Sequence, residues 1–186
     1  MALSEPSSSA PRGPIPKVPQ AAVALIRTNG PDPEFLLLRR ASNPKDPWSG
    51  HFALPGGRWE TRDQDLLETC MRETLEETGI RLEPGQLIHP LPMAIAGMHM
   101  GRPMEVAPFL FEIPSKPVLA LAAAEIAAFH WLAQSYLRDP ANRHQAAMSV
   151  SHPEREFPCI RVGNETGAIW GFTYGVLETL WRTALP

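Results

Sequence analysis

Little in this 186-residue sequence points to an extracellular or membrane setting. Two cysteines, Cys70 and Cys159, cannot make a disulfide framework, and Cys70 reads as a small core residue rather than a nucleophile. That usage suits a reducing cytoplasm, the expected compartment. The apolar stretch from Val118 to Phe129 is too short for a membrane span and holds Glu125. Neither charge sign dominates. With 17 basic and 20 acidic residues the net charge is −3, which gives no electrostatic reason to expect duplex nucleic acid or an anionic membrane as partner. The six histidines, His51, His89, His99, His130, His144 and His152, show no ligand spacing, and no internal repeat is visible. Met1 to Pro19 is rich in Ser and Pro, lacks the charged-then-apolar pattern of an export signal, and is expected to be a disordered tail or a weak address. Residues 20–186 are then expected to form one domain, with the 44% hydrophobic fraction of a chain that can bury a core.

The chain is organised around Leu54 to Ile80, in which a glycine turn leads into a short helix rich in carboxylates. Asp65 is an N-cap with Glu68 three residues on, and Gly79 falls where a left-handed cap is wanted. Leu67, Cys70, Met71, Thr74, Leu75 and Thr78 recur at three- and four-residue intervals, which predicts one buried face. Glu73 and Glu77 are four apart on a different face, with Glu76 beside Glu77. Like charges stacked at that spacing repel, so the trio asks for a cation. Oxygen ligands suit a hard divalent ion, magnesium first and manganese as its alternative. The other reading is a solvated helix face. Gly56 and Gly57, just ahead, permit the close backbone approach a metal–diphosphate site needs.

Arg72-Glu73-Thr74-Leu75-Glu76-Glu77-Thr78-Gly79-Ile80 resembles the second half of the Nudix box, R-E-U-x-E-E-x-G-U with U a bulky residue. Gly57 and Arg72 are separated by one residue more than that pattern has, and Asp63 and Asp65 straddle the position of its acid. The longer loop resembles the coenzyme A pyrophosphatase branch. So do Leu37, Leu38, Ser42 and Gly50 ahead of Leu54-Pro55-Gly56-Gly57, and Ile169 to Thr173 near the end. The match is partial: Asp46 and Leu54 stand where that pattern has Arg and Phe.

The resemblance implies an αβα sandwich around a mixed sheet, a single-domain α/β fold, and a magnesium-dependent diphosphatase. It implies Glu73 and Glu77 as metal ligands, Glu76 as a further ligand or the base, Gly57 as a carbonyl ligand, and Arg72 as the residue that orients a glutamate. Glu125 ahead of Trp131 resembles an acidic position of the family and is an extra ligand or base, or simply structural. The expected partner is a small nucleoside diphosphate derivative, with no nucleic acid, no membrane, and a homodimer left open. Coenzyme A or an acyl-CoA is the first substrate candidate, and ADP-ribose or another nucleoside diphosphate sugar the second. A nucleotide-binding module without catalysis is the alternative from another class, though such domains usually lose box carboxylates and this chain keeps three.

The remaining chain reads as strands at Gln20–Thr28 and Glu34–Arg39 joined as a hairpin, then short strand His51–Leu54, strands Leu87–Ala94, Glu105–Ile113 and Ala127–Leu132, and a short helix Leu132–Leu137. Asp139 to Arg155 is polar, carries prolines, and reads as a loop. Phe157–Val162 and Ala168–Phe172 read as a final hairpin, and Thr173–Ala184 as a closing helix. Around the diphosphate, Arg39 and Arg40 are candidate phosphate contacts or a solvated strand end. Trp48 is a base platform or a packed plug, Gly56 a backbone contact, and Arg102 a phosphate contact or part of an ordinary turn.

Overall fold

The computed structural model describes residues 20–43, 48–98, 101–148, 153–163 and 167–183. The tail Met1–Pro19 lies outside them, as do Asp46, His99 and His152.

The centre of the fold is β1 (Gln20–Thr28), in which six successive residues, Ala21 to Ile26, are buried. A strand buried on both faces reads as a continuous apolar run rather than an alternation. It pairs in parallel with β7 (Met104–Ile113) along its whole length and antiparallel with β2 (Glu34–Arg40) only at Arg27 and Phe35. Beyond that contact β1 and β2 diverge. Into the gap runs the segment carrying β3 (Phe52–Ala53) on β2 and β4 (Gly56–Arg58) on Ala21 to Val23 of β1. The expected glycine turn is thus a short strand. Gly56 sits at φ 146°, and a Cβ there would fall 2.2 Å from the carbonyl oxygen of Ala22, so only glycine lets this strand reach β1.

On the far edge, β5 (Leu87–Pro90) and β6 (Ala94–Ala96) replace the single strand expected over Leu87–Ala94, both antiparallel to β7. On the near edge, β8 (Ile126–Ala133) pairs with β2. Alternate residues of β1 and β2 enter two cores. Ala22, Ala24, Ile26, Leu36 and Leu38 face α1 (Leu66–Thr78), while Val23, Leu25, Phe35 and Leu37 join residues of α3 (Gly171–Thr183) and, through Leu137, α2 (Gln134–Arg138). The result is the helix–sheet–helix sandwich with a mixed sheet.

The expected final hairpin forms, and a third strand extends it into a second sheet. β9 (Arg143–Ala147) falls inside the expected loop and pairs with β10 (Glu156–Arg161), which pairs with β11 (Ala168–Trp170). Pro140 and Pro153 bracket β9 rather than break it, and its polar sequence, Arg-His-Gln-Ala-Ala, shows no strong alternation. Among the described residues no helix is long and apolar enough to cross a membrane.

Candidate active site

The termini of α1 form as the caps require. Asp65 accepts from the Glu68 amide at 2.8 Å, and Gly79, at φ 75°, donates from its amide to Leu75 at 2.9 Å. The buried face is turned from the one expected. Cys70, Thr74 and Thr78 are buried, but Leu67, Met71 and Leu75 are only partly so, and Thr69 and Glu77 go inside instead. Glu77 therefore belongs to the packed side of the helix. It lies 6% exposed against β4, where its Oε2 accepts from the Gly56 amide at 2.9 Å.

Burial pushes the Glu77 carboxyl up to about 7, against the pull of the Gly56 bond; repulsion from Glu73 and Glu125 adds to the rise, and Arg40 opposes it. Glu73 is also raised, chiefly by desolvation. Its carboxylate fills the space in front of Gly57: a Cβ at that glycine would lie 2.3 Å from Glu73 Cδ. Gly57 thus owes its identity to side-chain space, as Gly56 owes its own to the backbone. Glu76 is exposed and turned outward, accepting from Arg72 Nη1 at 3.1 Å and from Arg62 Nη2 at 3.2 Å.

Arg72 is the hub of this corner. Its Nε and Nη2 donate to the two oxygens of Asp63 at 2.8 and 2.9 Å, its Nη2 also donates to the Arg58 carbonyl, and its Nη1 donates to Glu73 at 2.9 Å. The pairing with Asp63 is bidentate, the strong form of this contact. Asp63 is buried, accepts further from Thr69 Oγ1 and the Glu60 amide, and is held by Arg72 well below the usual carboxylate range, at about 2. Of the two aspartates that straddle the expected acid, Asp65 caps the helix and Asp63 anchors the arginine. The sequence carries a signal for this, because once Asp65 is assigned to the cap, Asp63 is the acid left to meet Arg72.

A cavity of about 980 Å³ opens beside β4. Glu73, Glu77, Glu125, Arg40, Gly56 and Gly57 line one part of it, and Trp48 also reaches it. Arg72 and Glu76 do not line it. Neither do Arg39 and Arg102, so these two expected contacts are not brought to the cavity. The β2–β8 register shifts between Arg39 and Arg40, and only the second of them lines the cavity. Arg102 is exposed on a tight turn closed by its amide on the Gly97 carbonyl at 3.2 Å. Arg58, Trp170, Phe172 and Thr173 also line the cavity and were not among the expected contacts; Arg58 follows Gly57 on β4, while Trp170, Phe172 and Thr173, from the stretch already noted for its resemblance, arrive from a distant part of the chain.

Among the described residues no group of three or more His, Cys, Asp or Glu side chains is close enough together to hold a metal ion. The chemistry of the donors nevertheless fits a hard cation. Two desolvated carboxylates repel each other, Glu125 adds to the same field, and the Gly57 backbone stands where Glu73 ends.

Residues 18–150 match the NUDIX domain. The chain belongs to the NUDIX family. An uncharacterized Nudix hydrolase of Yersinia pestis, NudL, is 34% identical over 122 residues, which are 55% of this chain and 59% of the relative. An uncharacterized protein of Schizosaccharomyces pombe is 35% identical over 103 residues, 53% of this chain and 31% of its own. The chain thus spans about a third to three-fifths of the length of these two relatives. In fold, a MutT/Nudix family protein of Enterococcus faecalis aligns over 92% of this chain and 64% of its own at a TM-score of 0.63 and 16% identity. The NUDIX match ends before β10, so Trp170, Phe172 and Thr173 reach the cavity from outside it.

Proposed function

We propose that this chain is a divalent-metal-dependent hydrolase cleaving the diphosphate bond of a nucleoside diphosphate joined to another moiety, with coenzyme A or an acyl-CoA as its substrate. The observation that carries the reading is the buried Glu77 carboxylate beside Glu73 at the edge of a cavity large enough for a nucleotide derivative. In this reading Glu73, Glu77 and the Gly57 carbonyl hold magnesium, or manganese in its place, with Glu125, in the same part of the cavity, as an extra ligand or base; Glu76 would serve as a further ligand or base only by turning in from Arg72 and Arg62. Magnesium there would draw charge from the diphosphate and lower the pKa of a bound water.

The chain's own groups do the positioning. Arg72, fixed by Asp63, holds Glu73 and Glu76 in place; Arg40 and Arg58 offer charge-assisted donors to phosphate oxygens. Gly56 and Gly57 keep the approach to the glutamates clear of side chains. For coenzyme A in particular the support is positional. Ser42, Gly56, Gly57, Trp170 and Phe172, part of the resemblance to that branch, all line the cavity, as does Leu54, where that pattern has Phe. Retention of three carboxylates favours turnover over a binding-only module.

The test is a panel of coenzyme A, acetyl-CoA, ADP-ribose and a nucleoside diphosphate sugar, with phosphate release read after phosphatase coupling. Coenzyme A should yield 3′,5′-ADP and 4′-phosphopantetheine in magnesium and nothing in excess chelator. Turnover of ADP-ribose alone would move the substrate to the second candidate, and no turnover of any member would overturn the enzymatic reading.

A further inference from the structure

We infer that the cavity fixes the direction of its substrate, with the nucleobase stacked on Trp170 and the second moiety lying in a trough floored by Ala21, Val23, Ala96 and Val106. The proposal rests on the diphosphate reading above and goes beyond it by assigning the two ends. Position in the sheet separates them. At this end of the molecule the β3–β4 segment fills the gap between β2 and β1, while β7 and then β6 lie on the opposite side of β1. Glu73 and Glu77 meet β4 at Gly57 and Gly56, so the acidic centre stands between the β3 side and the β7–β6 side.

The β3 side is aromatic and held in place. Trp170 packs edge-on against His51, ring centroids 5.1 Å apart at 71°, and against Phe157 at 5.4 Å. Its backbone is fixed by pairing opposite Cys159 in the second sheet. Gly171, at φ 58°, then turns the chain into α3, and Thr173 Oγ1 donates to the Phe52 carbonyl at 3.1 Å, tying the first turn of that helix to β3. An indole braced by two rings and a ladder, yet only half-buried and lining the cavity, is a pre-set stacking surface for a flat base. Among the described residues the other side has no aromatic floor. Ala21 pairs with Val106 and Ala96 is opposite Met104, and all four line the cavity, so adjacent strands present apolar side chains without rings to it. Such a trough suits a flexible, largely aliphatic arm and offers nothing planar to stack.

The experiment separates binding from turnover. ADP, which carries the base and diphosphate but no second moiety, is titrated calorimetrically in magnesium into the parent, Trp170→Leu, Trp170→Phe and Ala96→Leu, each checked for a parental melting profile. Loss of stacking in Trp170→Leu should weaken ADP by about five- to 150-fold, and Trp170→Phe should recover most of it. Ala96→Leu should leave ADP affinity as it is and weaken coenzyme A. As a second readout, taken in a Trp48→Phe background so that Trp170 is the cavity tryptophan observed, ADP should quench tryptophan fluorescence, and that quenching should be lost on adding Trp170→Phe even if Trp170→Leu fails to fold. Unchanged ADP affinity in a folded Trp170→Leu, persistent quenching in Trp170→Phe, or a parent that does not bind ADP would overturn the assignment. Binding of ADP with this dependence but no turnover of the panel would instead sink the enzymatic reading and leave the orientation standing.

Discussion

Replacing Glu77 by Gln should make the metal-free protein more stable at alkaline pH, although it removes a residue at the heart of the candidate site. The carboxyl ionises at about 7 in the fold and at 4.5 in an unfolded chain. The folded state therefore holds the proton more tightly, and ionising Glu77 opposes folding. The penalty is absent well below pH 4.5, grows between 4.5 and 7, and is complete above 7. At 1.36 kcal/mol per pKa unit, the gap is worth about 3 kcal/mol at pH 8 and about 1 kcal/mol at pH 5. The amide oxygen of Gln can still accept from the Gly56 amide, so the substitution relieves the charge and keeps the bond. Urea denaturation in excess chelator, at pH 5 and pH 8, measures the difference. Relative to the parent, the variant should gain about 2 kcal/mol more at pH 8 than at pH 5. Adding magnesium at pH 8 should stabilise the parent more than the variant, because a cation that binds the native state adds to its stability. Curves for parent and variant that run parallel from pH 5 to 8, or a variant less stable than the parent at pH 8, would refute the burial argument.

The two glycines of β4 should respond in opposite ways to alanine. Gly56→Ala drives a Cβ into the Ala22 carbonyl at a positive φ and should lower stability by about 2 kcal/mol or more, read as a fall in melting temperature. Gly57→Ala meets only the carboxylate end of the Glu73 side chain and no backbone, so melting should change little while turnover drops steeply; the reverse pattern would contradict the assigned roles. Asp63→Asn removes the charge that grips Arg72 and should cost about 1–3 kcal/mol together with activity, measured by denaturation and steady-state kinetics. Because Asp63 is depressed to about 2, its contribution is present above the usual carboxylate range and lost as pH falls towards 2, so the deficit of the variant should shrink in acid. Cys70→Asp puts an unpaired charge at a fully buried position and should prevent folding; a cooperative near-parental melt would show that the apolar face of α1 is misplaced.

The sequence made some of this legible for local reasons. The limits of α1 could be read because Asp65 and Gly79 act within one turn of themselves, and β1 could be read because its apolar run is stopped by Asn29-Gly30-Pro31. The exact facing of α1 could not. A charged residue is ordinarily assigned to the wet side, and the inward placement of Glu77 depends on β4, whose pairing with β1 is itself set by Gly56 fitting against Ala22. β9 stayed hidden because its stability comes from β10 beside it and not from its own pattern. Trp170 is the clearest case. Its segment reads correctly as half of a hairpin, but that it faces the cavity depends on Gly171 turning the chain and on Thr173 meeting Phe52, 121 residues earlier.

The same geometry explains why Arg72 does not simply neutralise the site. A guanidinium on the same stretch of helix as two stacked glutamates could pair with both and remove any need for a cation. Asp63 takes Nε and Nη2 in a bidentate grip, and the Arg58 carbonyl shares Nη2, which leaves Nη1 as the only nitrogen turned to the carboxylates. It reaches Glu73 and Glu76, and no bond runs from it to Glu77. The most buried carboxylate of the trio is therefore left with one backbone amide and the field of Arg40 against those of Glu73 and Glu125. The longer loop between Gly57 and Arg72 contributes directly, since it seats Asp63 through the Glu60 amide and Thr69 while leaving Asp65 free to cap the helix. Two adjacent demands, a started helix and a restrained arginine, are met by two aspartates, and the charge left unmet on Glu77 is the feature that a metal ion would complete.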